Sequence, residues 1–574
     1  MLTRLRVKRF KRFDDVDIEL GRTVVLIGPN DSGKTAALQA LALWETGLRR
    51  WVEKRGSDSV PEKRPGVTVN RRDLIAIPVP EAKLLWHDLH VRNVHRDREG
   101  KQKTGNVCVE VLVNGVQGGR KWECGLEFDY ANPESLYCRP LRRPGGSSAD
   151  RMAVPPEALG VRVAFLPPMS GLAATEPKWE PGRINVLLGE GQTAQVLRNL
   201  CYQLHEEPRQ PGAWDALTER IKALFGVELG PPEHVQDRGE ITMAYRHLSG
   251  PQLDISASGR GLQQTLLLLG YLYANPGAVL LLDEPDAHLE ILRQRQTYQI
   301  INEIGAEQGC QIIAASHSEV VLNEAAGRDT VIAFVGRPHR IDDRGSQVLK
   351  ALRDIGFEDY YQAEQKGWVL YLEGSSDLAI LRAFADRLGH PAAEDLQQPF
   401  VHYVQNSPAA VLHHFHGLRE AKPDVVGIAI LDRLDRADLA EHPRLAQVQW
   451  QRREIENYLC REEVLIAYAR ETAEGDLFAH GNEATMRECI NDMSAALATL
   501  GHADPWSGDI KATDQFLDPL FRNYLTALGL PILMDKSSYH ELAKFLTPDM
   551  IPHEVNDKLD RIAEVAQQAS PRGA

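Results

Sequence analysis

A chain of 574 residues with 43% hydrophobic and 25% charged side chains is too long for one ordinary core and has the balance of a globular protein of about two to four domains. Its formal net charge of −14 argues against a protein that coats nucleic acid indiscriminately, while leaving room for a local basic groove, because phosphate contacts are local. The seven scattered cysteines (Cys108, Cys124, Cys138, Cys201, Cys310, Cys460 and Cys489) form no C-x-x-C pair, which points to a reducing compartment and away from a zinc ribbon. The sequence offers neither the apolar core of a signal peptide nor a membrane span, so a cytoplasmic protein without membrane contact is expected.

Residues 2–20 alternate apolar and polar positions through Leu5, Val7, Phe10, Phe13, Val16, Ile18 and Leu20, a pattern that predicts two strands of a hairpin. Lys8, Arg9, Lys11 and Arg12 fall near its turn and read as a solvated basic cluster, with phosphate-backbone contact as the lesser alternative. Residues 24–35, VVLIGPNDSGKT, join an apolar run to G-x-x-x-x-G-K-T and then to the apolar-periodic segment 36–43. This strand–loop–helix context is the one a phosphate-binding P-loop requires. Gly28 and Gly33 let backbone N–H groups curl around an anion, and Asn30 and Ser32 lie within the same loop. The following helix N-terminus adds partial positive charge. Lys34 can reach the outer phosphates of a nucleoside triphosphate, and the Thr35 hydroxyl suits Mg²⁺.

Residues 44–160 are rich in Arg, Gly and Pro, with strands predicted at 106–114 and 120–128 and an exposed turn at 139–148. A strand at 162–166 ends in Pro167-Pro168, and helices are expected near 193–206 and 213–225, so 170–240 reads as a helical insertion that could carry dimer contacts. At 254–273 a small-residue turn, SASGRG, opens a long apolar helix. The run 278–285, AVLLLDEP, reads as a buried strand ending in Asp283 and Glu284, followed by a helix over 286–304. Residues 310–318, CQIIAASHS, read as another buried strand, ending at His317. Downstream of a P-loop, this order puts Asp283 beside Mg²⁺, Glu284 beside the attacking water and His317 within reach of the γ-phosphate.

The succession of P-loop, signature turn, AVLLLDEP and ASHS resembles the ABC-type ATPase head of the RecF/SMC kind over about residues 1–340. The resemblance implies an α/β fold that binds ATP and Mg²⁺ and closes as a homodimer or higher homo-oligomer, with Ser258 and Gly259 meeting the partner's nucleotide. SASGRG departs from the LSGGQ form of that family, and no Q-loop glutamine is recognisable between P-loop and signature.

Residues 337–354 are polar and turn-forming, and a linker is expected over 341–366. The strand 367–372 ends at Glu373, and Asp377 lies in the first turn of the helix that follows. A second apolar strand, 425–431, ends at Asp432. In a parallel sheet these ends share one edge, where Glu373, Asp377 and Asp432 can form an all-oxygen cation site. Acidic helix caps are the alternative reading of the same residues. Arg452 and Arg453 suit either phosphate backbone or a solvated chain end.

Glu-Gly after one strand and Asp after a second resemble a TOPRIM domain, here over 367–465. With WQRREIENYL at 450–459 and Asp535-Lys536 in a helical C-terminal extension (466–574), the whole chain is similar to the OLD (overcoming lysogenization defect) nucleases, a group that includes the nuclease of the Gabija anti-phage system. That resemblance implies a metal-dependent endonuclease in antiviral defence, acting on nucleic acid, DNA before RNA, with a separately encoded partner as a further expectation. Glu373, Asp377 and Asp432 would hold Mg²⁺, with Mn²⁺ or Ca²⁺ as substitutes, Glu454 or Glu456 would supplement the second metal, and Lys536 would stabilise charge on the reacting phosphate. TOPRIM domains carry Asp-x-Asp on the second strand; here the second slot is Leu434, with Asp435 one residue later. Two further readings remain: a tRNA-cleaving ribonuclease toxin under ATPase control, and a RecF/SMC-like DNA-binding ATPase with an inactive TOPRIM platform.

Overall fold

The computed structural model describes all residues except 57–65, 97–101, 143–150, 207–210, 248–249, 327, 342–354, 435–438, 440–441, 472–475, 533 and 572–574. The chain divides into two compact units, Met1–Leu349 and Lys350–Ala574.

The first unit holds two six-stranded sheets. One is antiparallel and begins with the hairpin β1 (Leu2–Phe10) and β2 (Phe13–Glu19). The alternation of residues 2–20 places Leu5, Val7, Val16 and Ile18 inside and charged residues outside. The predicted strand 106–114 runs instead over Val109–Gln117, because Asn106 ends a separate short hairpin strand, Gln102–Asn106; its partner extends to Arg120–Asn132.

The second sheet is parallel over five strands and carries the P-loop. In spatial order it runs Val163–Leu166, Val279–Asp283, Gln311–Ser316, β3 (Thr23–Ile27), Thr330–Ala333 and an antiparallel edge strand, His339–Arg340. Its central strands are apolar throughout because both faces are covered. Val24, Leu26, Val279 and Leu281 join the core shared with the antiparallel sheet and with helix α1 (Lys34–Arg55). Leu280, Leu282, Ile312 and Ala314 face a second core with the helices Leu197–Glu206, Ala213–Phe225 and Arg260–Ala274. Helix α1 is therefore wrapped on most sides, and Trp44 and Trp51 are buried within it.

Two expectations for this unit change. The stretch 170–240 is not helical throughout: Gly226 ends a helix in the left-handed conformation (φ 65°), and the short strands Val227–Leu229 and Glu233–Val235 follow, separated by Pro231-Pro232. The helix after AVLLLDEP begins at Ile291 rather than 286; Glu284 (φ 50°) and His288 (φ 63°) both take left-handed backbone, which holds 284–290 as a turn.

The second unit is built on a four-stranded parallel sheet in the order Val401–Tyr403, Trp368–Leu372, Val426–Leu431, Leu445–Gln449. Leu370, Leu372, Ile428 and Ile430 face a core shared with the helix Ser375–Leu388 and the C-terminal helices, among them Glu462–Glu471, Asp518–Ala527 and His553–Gln567. The polar linker expected over 341–366 is shorter than that. Phe357–Lys366 is an α-helix with Phe357, Tyr360 and Ala363 buried, an i, i+3, i+6 spacing that gives this polar stretch one apolar face.

Candidate functional site

In the first unit the P-loop leaves the C-terminal end of β3 and turns into α1. Gly33 caps α1 with φ 103°, and a Cβ there would stand 2.8 Å from the Phe13 ring. At Gly28 a Cβ would stand 2.8 Å from the Phe334 carbonyl oxygen. Both glycines are thus fixed by close approach as well as by the anion they can cradle. Gly33→Ala is expected to cost about 1–3 kcal/mol, read as a lower denaturation midpoint together with weakened nucleotide binding.

The Lys34 ammonium donates to the carbonyl oxygens of Gly28 and Pro29, both at 2.7 Å. Burial lowers its pKa, and Glu284, Asp283 and Asp286 oppose that shift. These carbonyls are the contacts a phosphate oxygen would take over. The Thr35 hydroxyl donates to Asp283, whose Oδ1 and Oδ2 lie at 3.0 and 2.9 Å, and burial lifts Asp283 to about 6. A hydroxyl paired to a desolvated carboxylate suits a hard divalent cation. The Ser32 hydroxyl is buried in the loop without a protein partner, and Asn30 lies exposed in the loop. Glu284 Oε1 is 3.6 Å from His317 Nδ1, and His317 is half exposed.

Ser258 and Gly259 lie elsewhere on this unit. The Ser258 hydroxyl donates to Ile255 O at 2.7 Å within its own turn, and Gly259 caps the helix Arg260–Ala274. Both line an open pocket of about 390 Å³ together with His288 and Arg293, and no P-loop residue shares it. The basic cluster of the first hairpin is partnered: Lys8 with Asp15 (3.4 Å), Arg12 with Asp31 (2.7 Å), Arg9 with Glu110. Lys11 is half-buried and bonded to Gln39, and desolvation lowers its pKa to about 8.

In the second unit the acidic residues converge. Glu373 follows the strand Trp368–Leu372, and its N–H donates to Asp377 Oδ2 at 3.1 Å. The cap of the helix Ser375–Leu388 is Gly374, with no side-chain cap bond, and Asp377 lies in its first turn. Burial, then the Glu373 charge, pushes Asp377 up to about 6. Asp432 follows Val426–Leu431, and its N–H donates to Asn406 Oδ1 at 2.9 Å. Burial first, and then the adjoining Glu373, raises Asp432 strongly. Glu456, at 1% exposure, sits in the 3-10 turn Ile455–Tyr458; burial, then Glu454, pushes it up to about 8. Lys536 Nζ lies 3.8 Å from Glu373 Oε1 and 3.7 Å from Glu456 Oε1. Glu373, Asp432, Glu454 and Lys536 line one pocket of about 190 Å³ with Arg433 and Lys511.

The remaining expected residues are placed differently. Glu454 Oε1 accepts the Thr513 N–H at 2.5 Å, and its carboxylate caps the turn that follows, so much of it is committed to backbone. Arg452 donates to Asn457 O at 2.7 Å and lies over the Tyr458 ring, which removes it from the pool of phosphate contacts. The Leu434 N–H donates to Gln449 Oε1 at 3.2 Å, and its side chain offers no metal ligand. Asp435 lies outside the described residues. Sequence reasoning missed Asn406 and Lys511. Asn406 follows Gln405, both in left-handed backbone (φ 57° and 47°), a local strain of the kind stored at functional sites.

The donor set fits a divalent cation. Glu456 Oε1 is buried without a hydrogen-bond partner. Asp377, Asp432 and Glu456 all hold their protons more tightly than ordinary carboxylates, as expected of acidic groups crowded with too little compensating charge. The consequence for stability is directional. Acids whose folded pKa lies above the unfolded value bind more protons when native, so stability falls as pH rises through that interval. For Asp377 and Glu456 it runs from about 4 up to about 6 and about 8. Thermal denaturation in chelator across that range should show a falling midpoint. The Glu456→Gln variant should flatten the fall and gain about 2 °C at neutral pH, and added Mg²⁺ should restore the wild type more at high pH than at low.

Comparison with known proteins gives partial matches. Residues 233–323, which carry the signature turn, Asp283-Glu284 and His317, match the sequence model of the family described as "AAA domain, putative AbiEii toxin, Type IV TA system". A curated relative, the "OLD nuclease" of Thermus scotoductus, is 46% identical over 43 residues. That stretch is 8% of this chain and 8% of the relative. Among solved structures, the SMC head bound to the C-terminal winged-helix domain of ScpA is similar at 14% identity and TM-score 0.34, covering 59% of this chain and 97% of that one. The SMC head domain of Thermotoga maritima matches at 14% and 0.31, over 59% and 98%. The first unit is an ATPase-type domain of the P-loop class, with nucleotide binding as its coarse function. No helix among the described residues is long and apolar enough to cross a membrane.

Proposed function

We propose that this protein is an ATP-regulated, metal-dependent endonuclease of OLD type, in which the second unit is a TOPRIM domain that hydrolyses phosphodiester bonds, DNA foremost, in defence against phage. The observation that carries this reading is the meeting of Glu373, Asp377, Asp432, Glu456 and Lys536 around one polar site, from segments spread over more than a hundred residues of sequence. Parallel-sheet strand ends are where α/β domains bind ligands.

Glu373, Asp432 and Asp377 would hold the first divalent ion, and Glu456 the second. A bound ion would supply Lewis-acid polarisation of the phosphate and a nucleophilic water at neutral pH. The chain contributes the rest. Lys536, held between Glu373 and Glu456, presents an ammonium to the charge that builds on the phosphate oxygens during displacement. Lys511, on the same pocket, can contact the substrate backbone. Asn406 fixes the strand end that carries Asp432. In the first unit Lys34, Thr35 and Asp283 would hold ATP and Mg²⁺, with Glu284 and His317 placed to act on the bound nucleotide. Ser258 and Gly259, engaged with no nucleotide residue of their own chain, are available to a second protomer, in line with an ATP-sandwich dimer.

The test is cleavage of supercoiled plasmid and of total tRNA, side by side, with Mg²⁺ or Mn²⁺ and with or without ATP. Plasmid cutting that disappears in Glu373→Ala is the expected result. Cutting of tRNA alone selects the ribonuclease reading. No cutting under any nucleotide condition, with ATPase activity intact, selects the binding-platform reading.

A further inference from the structure

A second cluster of metal-ligand type lies in the second unit, made of residues that the proposed nuclease chemistry does not use. Asp359 on the helix Phe357–Lys366, His402 on the edge strand Val401–Tyr403 and His414 on the helix Pro408–Ala421 each turn one ligand atom to a common point, all within 4.8 Å of one another. His402 Nδ1 lies 3.0 Å and His414 Nε2 2.9 Å from the same oxygen, Asp359 Oδ2. The hydroxyl of buried Tyr371 lies 2.9 Å from the other ring nitrogen of His414, Nδ1.

A structural aspartate–histidine pair would need only one imidazole. Here two rings share a single carboxylate oxygen and lie face to face, 3.6 Å apart and 12° from parallel. Two imidazolium cations so stacked would repel. Two imidazoles that share one carboxylate oxygen are the donor types of a transition-metal site. The separations also suit one: with bonds of about 2.0 Å, the ligand–ligand edges of a tetrahedral site are about 3.3 Å. His414 is nearly buried, while His402 and Asp359 are partly exposed. One side of the cluster is therefore open to water for a fourth ligand. The Tyr371 hydroxyl supplies the outer hydrogen bond that orients a ligating histidine.

We infer that Asp359, His402 and His414 form a binding site for a first-row transition ion of the Zn²⁺ class, distinct from the oxygen-only cluster around Glu373. Imidazole selects such ions over Mg²⁺, so the two sites are separable by metal. Coordination needs each ring plane to contain the ion, which parallel rings cannot satisfy together. His402, the more exposed ring on the edge strand, turns out of the stack when the ion enters.

The experiment uses full-length protein, stripped with chelator and held in excess Mg²⁺ to occupy oxygen sites, then titrated with Co²⁺. The expected result is a stoichiometric visible absorption band of tetrahedral Co²⁺ that Zn²⁺ displaces. His402→Gln and His414→Gln should abolish the band, Tyr371→Phe should weaken affinity about tenfold, and Glu373→Gln and Lys34→Ala should leave it unchanged. X-ray absorption of the wild-type Zn²⁺ form should show two imidazoles, a readout that needs no variant to fold. Absence of the band in the wild type, its persistence in folded His402→Gln, or its loss in Glu373→Gln overturns the proposal. The outcome does not depend on whether the protein cleaves nucleic acid.

Discussion

Replacing Glu373 with alanine is expected to lower phosphodiester cleavage by about 10³-fold or more, the loss of several kcal/mol of charge stabilisation at a metal-dependent transition state. Glu373 is the hub of its site. It lies beside Asp432, its backbone amide is tied to Asp377, and its carboxylate is 3.8 Å from the Lys536 ammonium. On the proposed function, removing it takes away a metal ligand, and it leaves Lys536 with one carboxylate fewer. ATP hydrolysis by the same variant should stay within about twofold of wild type, because the nucleotide residues belong to the other compact unit. The two activities, read on one preparation, separate a specific effect from misfolding. Loss of both would place Glu373 among residues that maintain the fold.

The second large effect is expected at Lys34. Its ammonium is the only P-loop side chain seen bonded to the loop's own carbonyls, at 2.7 Å to each of Gly28 and Pro29 among the described residues. A phosphate oxygen replacing those carbonyls sets a full negative charge against the ammonium in a desolvated place. Lys34→Ala should therefore reduce ATP hydrolysis by about 10²-fold or more, measured as phosphate release. Nucleotide binding should fall with it, measured by displacement of a fluorescent analogue. The folding midpoint is expected to move less than the activity, since the variant removes the desolvation of the ammonium while it takes a neighbouring cation from Asp283 and Asp286.

The legible part of this chain was whatever depends on local order. G-x-x-x-x-G-K-T between an apolar run and a helical period requires a strand, a loop and a helix in that sequence, and β3, the loop and α1 follow it. AVLLLDEP and CQIIAAS are apolar without alternation because both faces of a parallel sheet are covered. What depends on distant parts of the chain was harder to read. Lys536 has only the resemblance to mark it, no periodicity or spacing, yet its amine lies between Glu373 and Glu456. Asn406 lies in a short loop with nothing in its neighbours to mark it, and its part is set by the Asp432 amide, 26 residues on. Asp359, His402 and His414 are spaced as surface polar residues would be, and only the order of the parallel strands brings them together. Glu454 shows the reverse: an acidic residue in a suggestive motif whose carboxylate goes largely to the backbone of Thr513 and to capping its own turn.

On the proposed function, the P-loop governs cutting at the Glu373 cluster. The direct measurement is the initial rate of supercoiled plasmid cleavage against ATP concentration, at fixed Mg²⁺, for wild type, Lys34→Ala and Glu373→Ala. The wild-type rate should change with ATP, Lys34→Ala should cut at a rate that ATP no longer moves, and Glu373→Ala should not cut at any concentration. Equal ATP response in wild type and Lys34→Ala, or undiminished cutting by Glu373→Ala, would contradict it.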